Sequence, residues 1–481
     1  MNYRMIGYLL GLILLIEAAL MAIPAAVALA YGESLMPFII TIALLIAVSV
    51  PLVIFRSKNR RIYAKDGFIV VVAAWILMSL FGALPFKLSG AIPSYVDAFF
   101  ETVSGFTTTG ASILSEIESL PKGILFWRSF THWVGGMGVL VFMMAILPAA
   151  GGGQNMHLMR AEVPGPTKGK LVPSMRKTAI ILYSIYMALT FMEMIALLCV
   201  GMPLYDSVVN GFATAGTGGF SVLNSSIGGY NSPAAEWIIA VFMFLFGINF
   251  NLYYFVIIGR AGQLFKNEEF KTYIFLCLGS TAAIVINTLN TVERIGDCIR
   301  DAFFQVAAIM STTGFSTVNY DADWPEFSKS LIIMLTIIGA CAGSTAGGFK
   351  IARLLIVLKG ILGQVRQVLR PNSVNVVRLD GEAVPDETVR SAMGYTSLYW
   401  VLIVIVTLIV SLDGFDFTTN TTAVLTCINN IGPGLGAVGP AGNFAGFSAG
   451  IKILLSFLML IGRLEIIPMM IFFSPMAWKK R

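Results

Sequence analysis

The residues best suited to chemistry recur in four short stretches that combine hydroxyl or amide side chains with glycine. The stretches end in Thr108, Thr109 and Gly110, in Thr217, Gly218 and Gly219, in Thr312, Thr313 and Gly314, and in Asn430, Ile431 and Gly432. Glycine reaches backbone angles that are closed to other residues, so each stretch can turn its carbonyl oxygens toward one point. Rings of backbone carbonyls suit a dehydrated monovalent cation. The four stretches therefore predict a cation site built from backbone oxygens.

Each stretch ends one copy of a fourfold internal repeat. The copies begin at Tyr95, Leu204, Ile299 and Thr421. Asp97, Asp206 and Asp301 stand at the same distance before the glycine in the first three copies, and the fourth copy lacks this aspartate. About ten apolar residues precede each glycine-rich stretch, and ten helical residues cover about 15 Å, half of a bilayer core. The pattern predicts four half-helices that each enter and leave on one side of a membrane.

The composition of the chain is that of a membrane protein. The chain has 481 residues, of which 57% are hydrophobic and 12% charged, and its mean hydropathy is +0.82. Soluble domains carry about 25% charged residues, so the composition excludes a soluble enzyme, a disordered chain and a protein with a single anchor. The first apolar segment, 5–30, is too long for the core of a signal peptide. Ten spans are expected, at about 5–30, 37–55, 67–86, 124–148, 177–201, 235–259, 270–289, 331–362, 391–412 and 446–475.

The placement of basic residues predicts the orientation of these spans. Lysines and arginines cluster at 56–65, 160–177, 260–271, 353–390 and 479–481. All of these clusters lie on one side if the N- and C-termini are cytoplasmic, as the positive-inside rule expects. The opposite connections 202–236 and 413–445 contain no lysine or arginine, and 291–329 contains six acidic residues. Those acids form either an ordinary solvated loop or a cation-attracting mouth.

The predicted fold class is an all-α polytopic membrane protein with ten transmembrane helices. Four parallel repeats, each consisting of span, half-helix, loop and span, surround a pseudo-fourfold pore, and an N-terminal helix pair precedes them. The expected divisions are 1–61 for the helix pair and 62–160, 161–264, 265–378 and 379–481 for repeats 1 to 4. Because all half-helices enter from the external side, their partly negative C-terminal ends face the pore axis.

The span 331–362 carries a second candidate feature. As a helix it would be about 48 Å long, well beyond the ~30 Å core. It contains Gly339, Gly343, Ser344, Thr345, Gly347 and Gly348. Helix propensity is poor there, so we expect the helix to break below the four loops, the alternative being a glycine-rich packing face. Arg463, deep in the last span, should face the bundle interior or water. Lys350 faces either the pore or the membrane interface.

With these features the chain resembles the Trk/Ktr/HKT superfamily of potassium transporters, most closely the bacterial Trk-type potassium uptake membrane subunit. The resemblance covers the whole chain, and it implies that Gly110, Gly219, Gly314 and Gly432 are filter glycines. It implies that the residues just before them supply the other potassium-binding carbonyls, that the loop within 339–348 gates the pore, and that Arg463 lies beneath the filter. The fourth copy departs most from the pattern, with Asn429, Asn430 and Pro433 in place of a threonine-rich stretch.

The resemblance also implies a cellular setting. The chain would be a gated, channel-like potassium uptake permease, a symporter or a channel, in the bacterial inner membrane. It would form a homodimer among membrane lipids. A separate cytosolic, Rossmann-like regulatory subunit would bind the nucleotide, so no cofactor is expected in this chain and no nucleic acid as a partner.

Two other functions remain open on the residues alone. A sodium or ammonium permease would use the same scaffold. A polytopic membrane enzyme would need a catalytic set within the spans, such as paired aspartates or a metal cluster, and the sequence offers none. Five scattered cysteines and two histidines, His132 and His157, give no recognisable metal-site spacing. Glu17 and Glu193 lie in apolar spans, where they serve either a proton or ion path or local hydrogen bonding.

Overall fold

The computed structural model describes residues 2–54, 64–138, 175–289, 294–372 and 376–478. Within these ranges, helices make up most of the chain. Two N-terminal helices, α1 (Tyr3–Ala30) and α2 (Met36–Ile54), pack along each other, and α1 also packs on the first repeat. A two-residue hairpin, β1 (Arg378–Leu379) with β2 (Glu382–Ala383), pairs Arg378 with Ala383 in antiparallel register. Apart from this hairpin, the described residues are predominantly helical and include long apolar helices, as the sequence predicts.

The remaining helices follow in four groups along the chain. The first group is α3 (Ala64–Gly82), α4 (Leu84–Leu88), α5 (Tyr95–Phe106) and α6 (Lys122–Gly136). The second is α7 (Met175–Cys199), α8 (Leu204–Gly216), α9 (Pro233–Phe246) and α10 (Phe250–Ile257). The third is α11 (Glu268–Thr288), α12 (Ile295–Met310), α13 (Tyr320–Asp323), α14 (Glu326–Ile338) and α15 (Ile351–Leu369). The fourth is α16 (Asp386–Val410), α17 (Phe417–Asn429), α18 (Ala449–Leu464), α19 (Ile466–Phe473) and α20 (Pro475–Trp478).

Short 3-10 helices complete the connections, at Ser226–Tyr230, Ala261–Lys266, Ser411–Asp413 and Gly436–Val438. By length and composition, six helical stretches of the described residues could cross a membrane, and α9 with α10 makes a seventh if the bent pair is one span. The six are Tyr3–Ala30, Met36–Ile54, Lys65–Leu88, Lys177–Cys199, Glu268–Thr288 and Asp386–Asp413.

Each group contains one short helix, followed by one of the four glycine-rich stretches. The short helices are α5, α8, α12 and α17, with 12, 13, 16 and 13 residues. At 1.5 Å per residue they are about 18–24 Å long, too short for a bilayer core of ~30 Å. Side chains cap two of them, since Ser94 accepts from the Asp97 N–H and Asp416 from the Thr419 N–H. The hydrogen bonds from the Thr419 side chain and backbone hold the pKa of Asp416 below its usual value.

The short helices also join neighbouring groups. Each packs on the helix that follows the glycine-rich stretch of the preceding group: α8 on α6, α12 on α9, α17 on α14, and α5 on α18. The last contact brings the fourth group back to the first. The short helices are largely buried, and the polar side chains that they bury include Glu101, Asn210, Gln305 and Asn420.

Apart from the single-residue turn at Ala83 between α3 and α4, three of the expected spans are interrupted. The span 331–362 is interrupted, as expected, between α14 and α15, where residues 339–350 are not helical; these residues are called the broken segment below. The expected spans 235–259 and 446–475 are also broken, and the sequence analysis did not predict these two breaks. The helices α9 and α10 meet at 93°. The helices α18 and α19 are separated at Glu465, whose φ is 68°.

The breaks have identifiable partners, which is why the chain tolerates them inside an apolar bundle. The Gly247 carbonyl accepts from the Cys341 N–H at 3.2 Å, and the Phe250 N–H donates to the Gly343 carbonyl at 2.9 Å. The break between α9 and α10 is thus bonded to the broken segment. The carboxylate of Glu465 pairs with Arg353 on α15. In the sequence, apolar residues flank the break between α9 and α10 and the break at Glu465, so the composition gave no sign of either. Part of the span expected at 124–148, residues 139–148, lies outside the described residues.

Candidate functional site

The four glycine-rich stretches share one backbone conformation. They are named here loop 1 (107–110), loop 2 (216–219), loop 3 (311–314) and loop 4 (429–432). The second residue of each loop has a left-handed φ, namely 56° at Thr108, 56° at Thr217, 59° at Thr312 and 54° at Asn430. The glycine that ends each loop also has a positive φ, namely 81° at Gly110, 77° at Gly219, 79° at Gly314 and 93° at Gly432. Side chains are strained in this region, so the repeated glycine has a conformational cause.

The loops lie against one another in a closed cycle. A Cβ atom on Gly110 would overlap the carbonyl oxygen of Gly218 in loop 2, and one on Gly219 would overlap that of Thr313 in loop 3. A Cβ on Gly314 would overlap the carbonyl of Ile431 in loop 4, and one on Gly432 would lie 2.7 Å from that of Thr109 in loop 1. The carbonyl of the third residue in every loop therefore lies against a glycine of a neighbouring loop. Each of these four glycines is therefore required for two reasons: its positive φ, and the lack of space for a Cβ beside the neighbouring carbonyl.

Hydroxyl groups hold two of the loops in place. The Thr107 and Thr109 hydroxyls are 2.8 Å apart in loop 1, and the Ser311 and Thr313 hydroxyls are 2.7 Å apart in loop 3. From loop 4, Asn430 donates to the Thr109 hydroxyl at 3.0 Å and to the Met459 carbonyl at 2.9 Å. The Thr109 and Thr313 hydroxyls are thus engaged in hydrogen bonds of the protein. The backbone carbonyls are then the oxygens available to a cation.

One cavity of about 160 Å³ touches all four loops. Gly110, Gly219, Gly314 and Gly432 line it together. Among the described residues that line it, Arg128 is the charged one, and none of the acids of 291–329 is present. Several of those acids bond elsewhere: Asp297 with Arg300 at 2.7 Å, and Asp321 with the Gly436 N–H at 2.9 Å. Asp297 and Asp321 therefore take part in contacts within the protein, and the cation-attracting mouth stays a prediction.

The broken segment lies against loops 3 and 4. The Gly347 N–H donates to the Thr312 hydroxyl at 2.8 Å. A Cβ on Gly347 would lie 2.7 Å from the Asn430 side chain, and one on Gly348 would lie 3.2 Å from that of Asn429. Gly339, Gly343 and Gly348 have positive φ, and the Ser344 hydroxyl donates to the Cys341 carbonyl at 2.6 Å. The segment is a compact non-helical plug, not the packing face of a continuous helix.

A carboxylate that the sequence analysis overlooked holds the two ends of this plug. One oxygen of Glu269 accepts from the Ala342 N–H at 2.6 Å and from the Ala352 N–H at 3.0 Å. Glu269 is buried at the start of α11. Its only signal in the sequence was its position next to an apolar run, which it shares with Glu268.

Arg463 joins three parts of the molecule beneath the loops. Its guanidinium donates to the Thr345 carbonyl in the broken segment at 2.7 Å. It also donates to the Gly135 and Gly136 carbonyls, at the end of α6, at 2.5 and 2.6 Å. These carbonyls lie at a helix C-terminus, which carries partial negative charge, and the Gly135 carbonyl also accepts from the Gly138 N–H at 3.1 Å. Arg463 therefore faces the bundle interior, as expected, and Glu465 pairs with Arg353 instead of with Arg463.

Lys350 ends the broken segment and is buried. Its φ is 73°, and its ammonium group donates to the Ala346 carbonyl within the segment. This placement does not fit a side chain that extends to the membrane interface. Arg353, one turn into α15, stacks on Tyr395 with 3.8 Å between the guanidinium carbon and the ring centroid. The broken segment is therefore flanked by three basic side chains, of which the sequence analysis had singled out two.

Comparison with known proteins now decides the family. The family model described as "TrkH: Cation transport protein" matches residues 34–480.

The chain belongs to the TrkH family.

Several relatives of this TrkH-family chain are similar over their whole length. The Trk system potassium uptake protein TrkH of Salmonella typhimurium is 35% identical over 491 residues, which covers all of both chains. The Trk system potassium uptake protein TrkG of Escherichia coli K12 is 33% identical and covers 99% of each chain. The crystal structure of the potassium transporter TrkH from Vibrio parahaemolyticus superposes with a TM-score of 0.89, at 33% identity and full coverage of both chains.

The hydrogen bond between Gly347 and Thr312 gives a local prediction. Thr312→Val removes the acceptor and leaves a buried N–H without a partner, which costs about 1–3 kcal/mol. We expect amide hydrogen exchange across 339–350 to become about tenfold faster or more, measured by mass spectrometry on the detergent-solubilised protein.

Thr108→Val is the matched control. Thr108 holds the equivalent position in loop 1, and within the described part of the chain its hydroxyl has no hydrogen-bond partner. Exchange in 339–350 should stay unchanged in this variant. Equal exchange rates in both variants would contradict a specific bond between loop 3 and the broken segment.

Proposed function

We propose that this TrkH-family chain is the membrane subunit of a potassium uptake system and forms a gated, channel-like pore. The observation that carries the proposal is the closed cycle of four loops, each with its carbonyl against the glycine of a neighbour. Membership of a cation transport family supports it, as do relatives that are named potassium uptake proteins. No feature of the described residues calls for an enzymatic reaction.

Selectivity would arise from the carbonyls of the four loops. Four carbonyl oxygens at one level would replace part of the hydration shell of a monovalent cation. Three successive levels would come from the second, third and fourth residues of the loops. These are Thr108, Thr217, Thr312 and Asn430, then Thr109, Gly218, Thr313 and Ile431, then Gly110, Gly219, Gly314 and Gly432. The short helices end at these loops, so their partly negative C-termini add to the attraction for a cation. Cross-contacts between loops limit how far any one level can widen.

Gating would fall to the broken segment together with Arg463. The segment carries Gly339, Gly343, Ser344, Thr345, Gly347 and Gly348, and its glycines give it conformational freedom. Arg463 restrains it through the Thr345 carbonyl and also places a positive charge under the loops. At 4–8 Å, two unit charges repel by roughly 2–4 kcal/mol with an effective dielectric constant near 20. Because about 1.4 kcal/mol changes a rate tenfold, this charge is sufficient to control conduction. Lys350 would add to it.

The organisation around the pore forms part of the proposal. Ten transmembrane helices, in an N-terminal pair and four parallel repeats, account for the order of the helices and for their cyclic packing. We further propose a homodimer in the bacterial inner membrane with both termini in the cytoplasm. A separate cytosolic subunit with a Rossmann-like fold would bind the regulatory nucleotide. These last points follow from the family resemblance.

Uptake of rubidium-86 into proteoliposomes tests the ion preference. We expect excess external potassium to suppress tracer uptake strongly, and equal concentrations of sodium or ammonium to suppress it weakly. Stronger competition by sodium or ammonium than by potassium would replace the proposal with a sodium or ammonium permease on the same scaffold.

Loop 3 supplies a prediction about the filter. Gly314→Ser places a side chain at a φ of 79° and against the carbonyl of Ile431. We expect potassium preference over sodium, or uptake itself, to fall at least tenfold in protein that is still inserted. Gly296→Ser is the control, because Gly296 is exposed on α12 with open space around it and should behave as wild type. Unchanged selectivity in Gly314→Ser would refute a filter role for loop 3.

Arg463 supplies a prediction about the barrier. Arg463→Gln removes the charge and keeps hydrogen-bond donors, so we expect flux per inserted molecule to rise at least tenfold. Arg463→Lys keeps the charge and loses the fork of donors, and its flux should stay close to wild type. Reduced flux in well-folded Arg463→Gln protein, as judged by size-exclusion chromatography, would rule out the barrier role. High flux in both variants would assign closure to the hydrogen bonds instead.

A further inference from the structure

Loop 2 lacks the hydroxyl pair that supports loops 1 and 3. The first and third residues of those loops are Thr107 with Thr109 and Ser311 with Thr313, and each pair is bridged by a hydrogen bond. The corresponding residues of loop 2 are Gly216 and Gly218. Loop 2 therefore needs a different support to keep the same backbone shape.

An imidazole ring occupies the place of the missing side chains. His132, on α6 of the preceding group, is completely buried, and a Cβ on Gly218 would overlap its ring. The φ of Gly218 is not positive, so its backbone does not itself require glycine. The glycine at 218 is explained by the ring behind it. This distinguishes Gly218 from Gly219, whose φ is 77°.

The ring is also a hydrogen-bonded bridge between two groups of helices. Its Nδ1 lies 2.7 Å from the Gly105 carbonyl oxygen on α5, and its Nε2 lies 3.3 Å from the backbone N of Phe220, directly after loop 2. A carbonyl only accepts and an N–H only donates, so Nδ1 carries the proton and Nε2 is the acceptor. The partners thus assign one neutral tautomer.

Arg128, one helical turn before His132, also contacts Phe220. Its guanidinium carbon lies 3.5 Å from the centroid of the Phe220 ring, and it donates to the Ser221 carbonyl at 3.1 Å. It is itself fixed by Glu101 at 2.7 Å. The ring of Phe220 is 4.1 Å from that of His132. Phe220 therefore contacts two side chains of α6, which anchor the end of loop 2.

From this arrangement we propose that His132 is a positioning residue for loop 2 and so determines ion selectivity. The inference rests on the proposed potassium function and names a residue outside the four loops. The Gly218 carbonyl lies against Gly110, so any shift of loop 2 changes its spacing to loop 1. A cation site discriminates by such spacing and by the number of carbonyls that reach the ion. His132 sets that spacing through its ring volume and its two hydrogen bonds.

The test is a double-mutant cycle read out as the ratio of potassium to sodium competition in rubidium uptake. His132→Ala should lower the ratio at least tenfold. His132→Gln offers one donor and one acceptor, and it should recover most of the ratio. Gly218→Thr alone should abolish selective uptake, because the new side chain meets the ring. Combined with His132→Ala, the same Gly218→Thr should raise the ratio above that of His132→Ala alone, because the threonine then refills the space that the ring has left behind loop 2.

The outcomes separate this inference from the function on which it rests. A wild-type protein that does not prefer potassium would refute the proposed function. A potassium-selective wild type with unchanged selectivity in His132→Ala would refute the role of His132. Equal losses in His132→Ala and His132→Gln, with no reversal of the Gly218→Thr effect, would also overturn it and leave His132 as a packing residue.

A spectroscopic measurement covers the case in which His132→Ala does not fold. The chain has two histidines, so His157→Gln with nitrogen-15 histidine labelling leaves the His132 ring as the observed signal. We expect the neutral tautomer with the proton on Nδ1. A proton on Nε2, or on both nitrogens, at neutral pH would contradict the bridge between Gly105 and Phe220.

Discussion

The close approach of carbonyl oxygens to glycines around the four loops is the contact on which the rest of the structure depends. Because a Cβ at any of the four glycines would overlap or crowd a neighbouring carbonyl, no loop can be changed or moved alone. The short helices must end at one level to bring the loops together, and each packs on the helix after the preceding loop. Shortness, burial and cyclic packing of these helices all follow from that requirement.

A second constraint is that backbone groups inside an apolar bundle must find partners. The structure satisfies it by pairing irregular segments with one another. The break between α9 and α10 is bonded to the broken segment at Gly247 and Phe250. Glu269 accepts from both ends of that segment, and Arg463 serves its Thr345 carbonyl. The charged side chains of Glu269 and Arg463, which lie in the interior, provide hydrogen bonds to backbone N–H and carbonyl groups that have no partner within a helix. The same groups that stabilise the irregular backbone are therefore in a position to control its movement.

The sequence contained the local features of the site and few of its long-range ones. The four glycines and the break near Gly339 were predictable, since backbone freedom and poor helix propensity are properties of short segments. The break at Glu465 was not, because the partner of Glu465 is Arg353, more than a hundred residues away. Glu269 and His132 were missed for the same reason. Their partners are backbone groups, which have no signature in the sequence. The contacts of the acids in 291–329 were equally out of reach of the sequence, since Asp297 is paired with Arg300 and Asp321 accepts from a backbone N–H.

The four loops share one backbone shape but are supported in different ways, and this asymmetry has a physical use. Loop 1 is held by paired hydroxyls and loop 2 by an imidazole from α6. Loop 3 has paired hydroxyls as well, but its Thr312 hydroxyl also receives the Gly347 N–H, and loop 4 is held by Asn430. If all four loops had the same supporting contacts, either every loop or no loop would contact the broken segment. Loops 1 and 2 are thus supported by α5 and α6, while loops 3 and 4 contact the broken segment, which is the part that would move if it gates the proposed pore. In the proposed function, this arrangement would let the broken segment move while the spacing between loops 1 and 2 is kept.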